Sequence, residues 1–228
     1  MNSSLKKDGG TSTSITPTRT PDELEYQERE RFDMEYGTNT HLPLAVTGFH
    51  SVNNLEHGKA YMASWTSEIR KSFARVTHWL DSSFSRHAFI DIGCGKGKVP
   101  IVWRLECQHR GLIQRICGID YYPPFIRLAR TNHQTVFATP GEFIVADAAT
   151  FDYQGLGAPL IVYLYNPFDA EILSRVLRRL RDIPTLIVYN IPTHAEQMEM
   201  SGFWLLESRQ GINQNEHTML FSNRIRPT

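Results

Sequence analysis

The 228-residue chain has only three cysteines, Cys94, Cys107 and Cys117, and none of them forms a CxxC pair. An odd number without ligand spacing argues against a disulfide framework. It predicts free thiols in a reducing compartment, packed as small apolar side chains. Net charge is absent too, with 24 Lys and Arg against 24 Asp and Glu. That balance removes any broad electrostatic pull toward nucleic acid or an anionic membrane. No apolar stretch is long enough to span a bilayer, and the N-terminus lacks the apolar core of a secretion signal. The expectation is a cytoplasmic protein. Nine histidines show no H-E-x-x-H and no paired Cys/His spacing, so no metal site is expected. Internal repeats are absent.

What is present divides into three parts. Residues 1–21 are rich in Ser, Thr and Gly, with too few large apolar groups to offset ordering entropy, and are expected to be a disordered tail. Residues 22–87 read as a helical N-terminal extension. "DELEYQERERFDMEY" suits a charged helix capped by Asp22 and stopped by Gly37, and Ile69, Phe73, Val76 and Leu80 recur at helical spacing in a second helix over about 61–80. From residue 88 onward, short continuous apolar runs take over: "AFIDIG", "RICGID", "EFIVAD", "LIVYLYN" and "TLIVYN". Continuous rather than alternating runs are strands covered on both faces. Helical patterns over 100–109, 124–134 and 169–181 separate them. Two further runs, "FWLLES" and "TMLFSN", flank a turn-rich "RQGINQNEH". The predicted fold is α/β: a doubly wound, mostly parallel seven-stranded sheet with a C-terminal antiparallel hairpin.

The first run ends in "FIDIGCGKGKVP". Asp91 closes the strand, and Gly93, Gly95 and Gly97 follow at every second position. Open parallel sheets bind ligands outside the carboxyl ends of their strands, where strand order reverses. Glycines there let backbone approach a ligand closely, and the next helix start carries a positive dipole end. The dinucleotide fingerprint G-x-G-x-x-G is not met, because Lys98 stands at its last glycine.

The observed Asp-x-Gly-x-Gly-x-Gly resembles the first motif of the class I S-adenosylmethionine-dependent methyltransferases, and the resemblance runs over most of 89–223. It implies S-adenosyl-L-methionine as cofactor. Asp91, Gly93, Cys94, Gly95 and Gly97 would cradle its methionine part. Asp120, at the end of "ICGID" and near solvent, with Tyr121 after it, would bind the ribose hydroxyls. Asp147, at the end of "FIVAD", would read the adenine amino group, with Ala148 beside the ring. "YNPF", from Tyr165 to Phe168, falls where the family lines the methyl-transfer site, with Asn166 touching the cofactor as well. Upstream, "RFDMEYGTNT" and the G-x-x-Y-x-x-S from Gly58 to Ser64 are similar to a group of largely uncharacterised bacterial-type methyltransferases, which implies Tyr61 and Ser64 as lid residues near the cofactor.

Each residue also has a plainer reading. Asp120 and Asp147 suit loop acids capping the next element, and Lys96 and Lys98 suit solvated lysines as well as a means of steering the methionine carboxylate. Tyr61, Trp65, Phe49 and His50 suit core packing as well as a lid. His194 suits a solvated loop residue as well as a base. Arg175, Arg178, Arg179 and Arg181 suit a solvated helix face. For catalysis the resemblance points to Asn166, whose side-chain carbonyl would accept a hydrogen bond from an amine, and to the Phe168 ring. The expected function is therefore methyl transfer to a small molecule or a protein side chain, leaning to an amine nitrogen, with nucleic acid a weaker partner and no membrane. The rival readings are a cofactor-binding but catalytically silent partner subunit and a nicotinamide-dependent oxidoreductase.

Overall fold

The computed structural model describes residues 20, 23–24, 26–42, 61–157 and 159–226. The expected disordered tail, Thr20 apart, lies outside these residues, as do the Asp22 cap and the lid candidates Phe49 and His50. The strands are β1 (Ala88–Ile92), β2 (Ile116–Asp120), β3 (Glu142–Val145), β4 (Leu160–Tyr165), β5 (Thr185–Asn190), β6 (Trp204–Arg209) and β7 (Thr218–Ser222). They form one sheet in the order β3-β2-β1-β4-β5-β7-β6. β1 to β5 are parallel, and β7 runs antiparallel to both β5 and β6. The expected mostly parallel sheet with an antiparallel C-terminal hairpin is the sheet observed.

The helices are α1 (Arg31–Tyr36), α2 (Thr66–Leu80), α3 (Lys98–His109), α4 (Pro123–Phe137), α5 (Ala170–Leu180) and the short α6 (Glu196–Met200). The central strands are apolar throughout because both faces are covered. Ile90, Val162, Leu164 and Ile187 point into one core with Ile172, Val176 and Leu177 of α5. Phe89, Ile161, Tyr163 and Val188 point into the other with α2 and α3. There the buried Trp103 stacks on Phe89 at 4.1 Å and meets Phe73 edge-on at 4.9 Å. Its indole Nε1 donates to Gln114 Oε1 at 2.8 Å, so the polar end of the ring is satisfied. The three cysteines are free and buried, as their small apolar character predicts.

The N-terminal extension is not a plain solvated helix. Tyr26–Glu30 is a π-helical turn, which α1 continues until Gly37 ends it at φ +67°. Asp33, buried on α1, then organises the chain that follows. Its carboxylate accepts hydrogen bonds from the Thr38 hydroxyl at 2.5 Å, the Thr40 N–H at 2.7 Å, the Thr40 hydroxyl at 2.8 Å and the His41 N–H at 2.9 Å. The His41 imidazole Nδ1 lies 2.6 Å away. Burial works to raise the pKa of Asp33, but the hydrogen bonds from Thr38, His41 and Thr40 outweigh it and hold the carboxyl below its ordinary range.

The extension is pinned to the core by the two lysines of the glycine motif, Lys96 at the segment so folded and Lys98 at the π-helical turn. Lys96 and Lys98 are 1% and 3% exposed, so neither is a solvated side chain. Lys96 Nζ donates to Asn39 Oδ1 at 3.1 Å and to the Leu42 carbonyl. Lys98 Nζ donates to the Glu28 carbonyl at 2.5 Å. Asn132 of α4 completes the joint: its Oδ1 accepts the Asn39 N–H at 2.9 Å, and its Nδ2 donates to the carbonyls of Asn39 and Lys96.

Replacing Asp33 by Ala should cost about 2–3 kcal/mol in urea unfolding at neutral pH, the scale for hydrogen bonds to a charged group. Because the folded-state pKa is depressed, this stabilisation is present above the unfolded value of about 4 and fades as pH falls through the folded one. The gap between wild type and Asp33→Ala should shrink below about pH 4; a gap independent of pH would show that the carboxylate's charge contributes nothing.

Candidate functional site

Strand order reverses between β1 and β4, and a cleft opens there at the carboxyl edge of the sheet. It admits the centres of water-sized spheres over about 180 Å3. Its lining gathers Asp91, Gly93, Cys94 and Gly95 from the exit of β1, Asp120 and Tyr121 from β2, and Asp147 and Ala148 from β3. Asn166 and Phe168 come from β4, and Tyr61 and Ser64 from the extension. Of the residues proposed from the sequence, Gly97 does not line it; that glycine caps α3 at φ +84° instead.

The glycine loop is held from four sides. Its N–H groups are used internally: those of Gly93 and Cys94 donate to the Ile119 carbonyl, that of Gly95 to Asp120 Oδ2 at 2.9 Å, and that of Gly97 to the Cys94 carbonyl. Two glycines have no alternative. Gly93 sits at φ +80° with a would-be Cβ 2.7 Å from Pro167. Gly95 sits at φ +51°, and a Cβ there would run into the Tyr61 ring. Tyr61 lies over the loop, with its ring 4.8 Å from Phe125 and its hydroxyl donating to the Thr40 carbonyl. Burial pushes its phenol far above the ordinary range. The side chain pressed on Gly95 is thus a residue of the extension. Nothing in the local pattern of either segment signals that meeting.

Three carboxyl groups face the cleft. Asp120, expected near solvent, is 6% exposed. Its oxygens accept the Gly95 N–H and, at 2.8 Å, the Tyr122 N–H. Burial nevertheless raises its pKa to about 6, against the pull of those two donors. Asp91 is 2% exposed and takes no hydrogen bond or ion pair among the described residues. Burial first, and the charge of Asp120 second, push its carboxyl well above the ordinary range. Asp147, just past β3 and half-buried, accepts the Ala149 N–H at 2.8 Å.

On the β4 side, Asn166 stands at φ +41°, an uncommon conformation for a residue other than glycine. Its Oδ1 accepts the Thr193 hydroxyl at 2.7 Å, so the carbonyl that the sequence reading assigned to an amine already has a partner. Phe168 is buried in the core with one face on the cleft. Of the alternative lid and base candidates, Trp65 is buried at the start of α2, and His194 lies 3.8 Å from Glu196; neither lines the cleft. Arg178, Arg179 and Arg181 are exposed, as a solvated helix face requires, whereas Arg175 is half-buried.

Sequence reasoning missed Phe125, Met62, Ala63 and Ile172 as lining residues. Phe125 and Ile172 are also buried apolar residues of α4 and α5. Thr193 carried no signal.

No family model matches the chain, and no curated protein matches it. Solved structures do. A magnesium protoporphyrin IX methyltransferase from Synechocystis, with bound S-adenosylhomocysteine, is 15% identical over 87% of this chain and 95% of its own, with a TM-score of 0.47. A ribosomal protein methylase from Lactobacillus delbrueckii is 12% identical over 71% and 78%, with a TM-score of 0.48. A predicted adenine-specific DNA methylase from Listeria monocytogenes is 16% identical over 68% and 50%, with a TM-score of 0.49. At these identities and scores the likeness decides nothing about this chain's chemistry, which its own residues must carry.

Gly95→Ala should lower stability by about 2 kcal/mol or more, from positive φ and from the collision with Tyr61. Adding Tyr61→Ala should recover the steric part, leaving the double variant more stable than the sum of the single losses by about 1 kcal/mol. Strictly additive urea-unfolding energies would mean that the two residues do not press on each other.

Proposed function

We propose that the chain is an S-adenosylmethionine-dependent methyltransferase whose cofactor occupies the cleft between β1 and β4. The observation that carries this reading is the pairing of a buried Asp91 carboxyl, unpartnered among the described residues, with a loop whose three glycine N–H groups are already taken. A dinucleotide site needs the reverse: free backbone donors for a pyrophosphate and no carboxylate beside it. This loop offers close approach with its glycine donors already taken, and Asp91 and Asp120 beside it call for a cation. A ligand with an α-ammonium and a sulfonium meets that demand.

In this reading Asp91 takes the ammonium group. Asp120, while holding the loop, keeps lone pairs for ribose hydroxyls, and Asp147 and Ala148 border the adenine. Tyr61 and Ser64 close the cleft from the extension and exclude water. When bound, the cofactor supplies an electrophilic methyl group that is already activated, so the chain's task is alignment. Asn166 and Phe168 stand at the acceptor side. Among the described lining residues the cation is Lys98, and it is engaged by the Glu28 carbonyl rather than held out toward a phosphate backbone. That favours a small molecule or a single inserted protein side chain over nucleic acid.

Calorimetry should give a micromolar dissociation constant for S-adenosylhomocysteine, about 8 kcal/mol, and no heat with NAD. Saturable NAD binding without a response to either sulfur ligand would sink the reading. Asp91→Asn separates function from stability. It should weaken S-adenosylhomocysteine by about tenfold or more, the loss of a charged hydrogen bond. It should also raise the melting temperature, because an uncompensated buried carboxyl is removed. The raised folded-state pKa of Asp91 means its penalty grows as pH climbs above the unfolded value of about 4, so the gain should be larger at pH 7 than at pH 4. Unchanged affinity with unchanged stability would mean that Asp91 faces no ligand.

A further inference from the structure

We propose that Thr193 sets the acceptor class: by holding the Asn166 carbonyl it leaves the amide N–H groups as the free polar face at the acceptor side, a donor subsite that selects an oxygen bearing lone pairs over an amine. This inference rests on the methyltransferase reading and reverses the leaning to an amine that the sequence suggests.

The geometry begins with two neighbouring strand exits. β4 and β5 are paired up to Tyr165 and Asn190, and each hands over to a residue at positive φ followed by proline: Asn166-Pro167 and Ile191-Pro192. Ile191, at φ +50°, is β-branched, and such a residue adopts that conformation only where its surroundings impose it. Here the Ile191 N–H donates to the His217 carbonyl at 2.8 Å, and the Thr193 N–H returns to the Ile191 carbonyl at 2.8 Å. The tight turn places the Thr193 hydroxyl 2.7 Å from Asn166 Oδ1. That oxygen can only accept, so the hydroxyl donates. Among the described residues, Asn166 Nδ2 donates to no protein atom, and Asn166 lines the cleft. Most of the unused hydrogen-bonding capacity of the side chain is therefore donor capacity.

The consequence for recognition is chemical. An amine that turns its single lone pair to a methyl group has only N–H groups left, and these need acceptors. An oxygen keeps a second lone pair, which an amide N–H can satisfy. A donor wall thus gives an amine's hydrogens no protein acceptor and pairs an alcohol, phenol or carboxyl oxygen.

Sinefungin tests this without knowledge of the acceptor, because it carries a primary amine where S-adenosylmethionine carries its transferable methyl. Calorimetry would compare it with S-adenosylhomocysteine. Wild type should bind sinefungin no more tightly. Asn166→Asp, which replaces the amide donor by an anionic acceptor, should shift the ratio toward sinefungin by about tenfold or more. Thr193→Val should release the amide to turn and shift the ratio the same way by about threefold, whereas Thr193→Ser should keep the wild-type ratio, which a merely structural threonine would not distinguish. A wild-type preference for sinefungin of about tenfold, lost in Asn166→Ala, would place the carbonyl at the site and overturn the proposal. A ratio indifferent to Asn166→Asp would overturn it as well. If neither ligand binds wild type, the methyltransferase reading itself fails and takes this inference with it.

Discussion

The carboxylate of Asp120 is the joint on which the carboxyl edge of the sheet hangs. It bridges the Gly95 N–H after β1 and the Tyr122 N–H at the start of α4, so one buried acid shapes two loops. Neither donor has water to fall back on, and leaving each unpaired costs about 1–3 kcal/mol. Keeping an acid there is itself unfavourable, as its pKa of about 6 records. The geometry of the loop follows from this joint. With Gly95 drawn toward β2, its free side meets Tyr61, and Gly93 meets Pro167 from β4. Three separate strand exits and the extension are thereby fixed relative to one another.

Charge follows the same logic. Lys96 donates to the Leu42 carbonyl, and Lys98, although it borders the cleft, donates to the Glu28 carbonyl, so both cations of the glycine motif are engaged by the extension while Asp91 and Asp120 stand beside the loop. A buried ammonium is stable only where carbonyl or carboxyl oxygens surround it, and the extension supplies them, the 37–42 segment for Lys96 and the Glu28 carbonyl for Lys98. Asp33 makes that segment, Lys96 attaches it, and Tyr61 reaches from beyond it onto the loop. The extension is therefore part of the wall of the cleft. Asp91 is buried, faces the cleft and has no hydrogen-bond or ion-pair partner among the described residues. Stability alone would replace it; in the proposed reading it marks the place where the ligand's ammonium group completes the structure.

Much of this was legible because it depends on short-range pattern. Unbroken apolar runs such as "LIVYLY" announce strands covered on both faces, and β4 and β5 are buried along their lengths. The Asp91, Asp120 and Asp147 positions follow from the rule that ligands gather at the carboxyl ends of parallel strands. Other features were not legible. The π turn at Tyr26–Glu30 and the short helix Glu196–Met200 have too few residues for a period to show. Lys96 and Lys98 read as solvated or carboxylate-steering residues because lysine is rarely buried, and only a folded partner far along the chain supplies their acceptors.

What the amino-acid sequence determined by itself is the architecture and the neighbourhood of the site: which runs are strands, where the sheet reverses, and which acids and glycines end there. Those are consequences of hydrophobic period and turn chemistry, both encoded within a few residues. Tertiary structure alone decided how the polar groups of the site are paired. That Tyr61 closes on Gly95, that Asp120 is buried rather than exposed, and that Thr193 holds the Asn166 carbonyl across 27 residues all depend on hydrogen bonds and contacts between distant segments. A hydrogen bond has a direction that composition and spacing do not carry, and at this site the direction decides which chemistry the wall can accept.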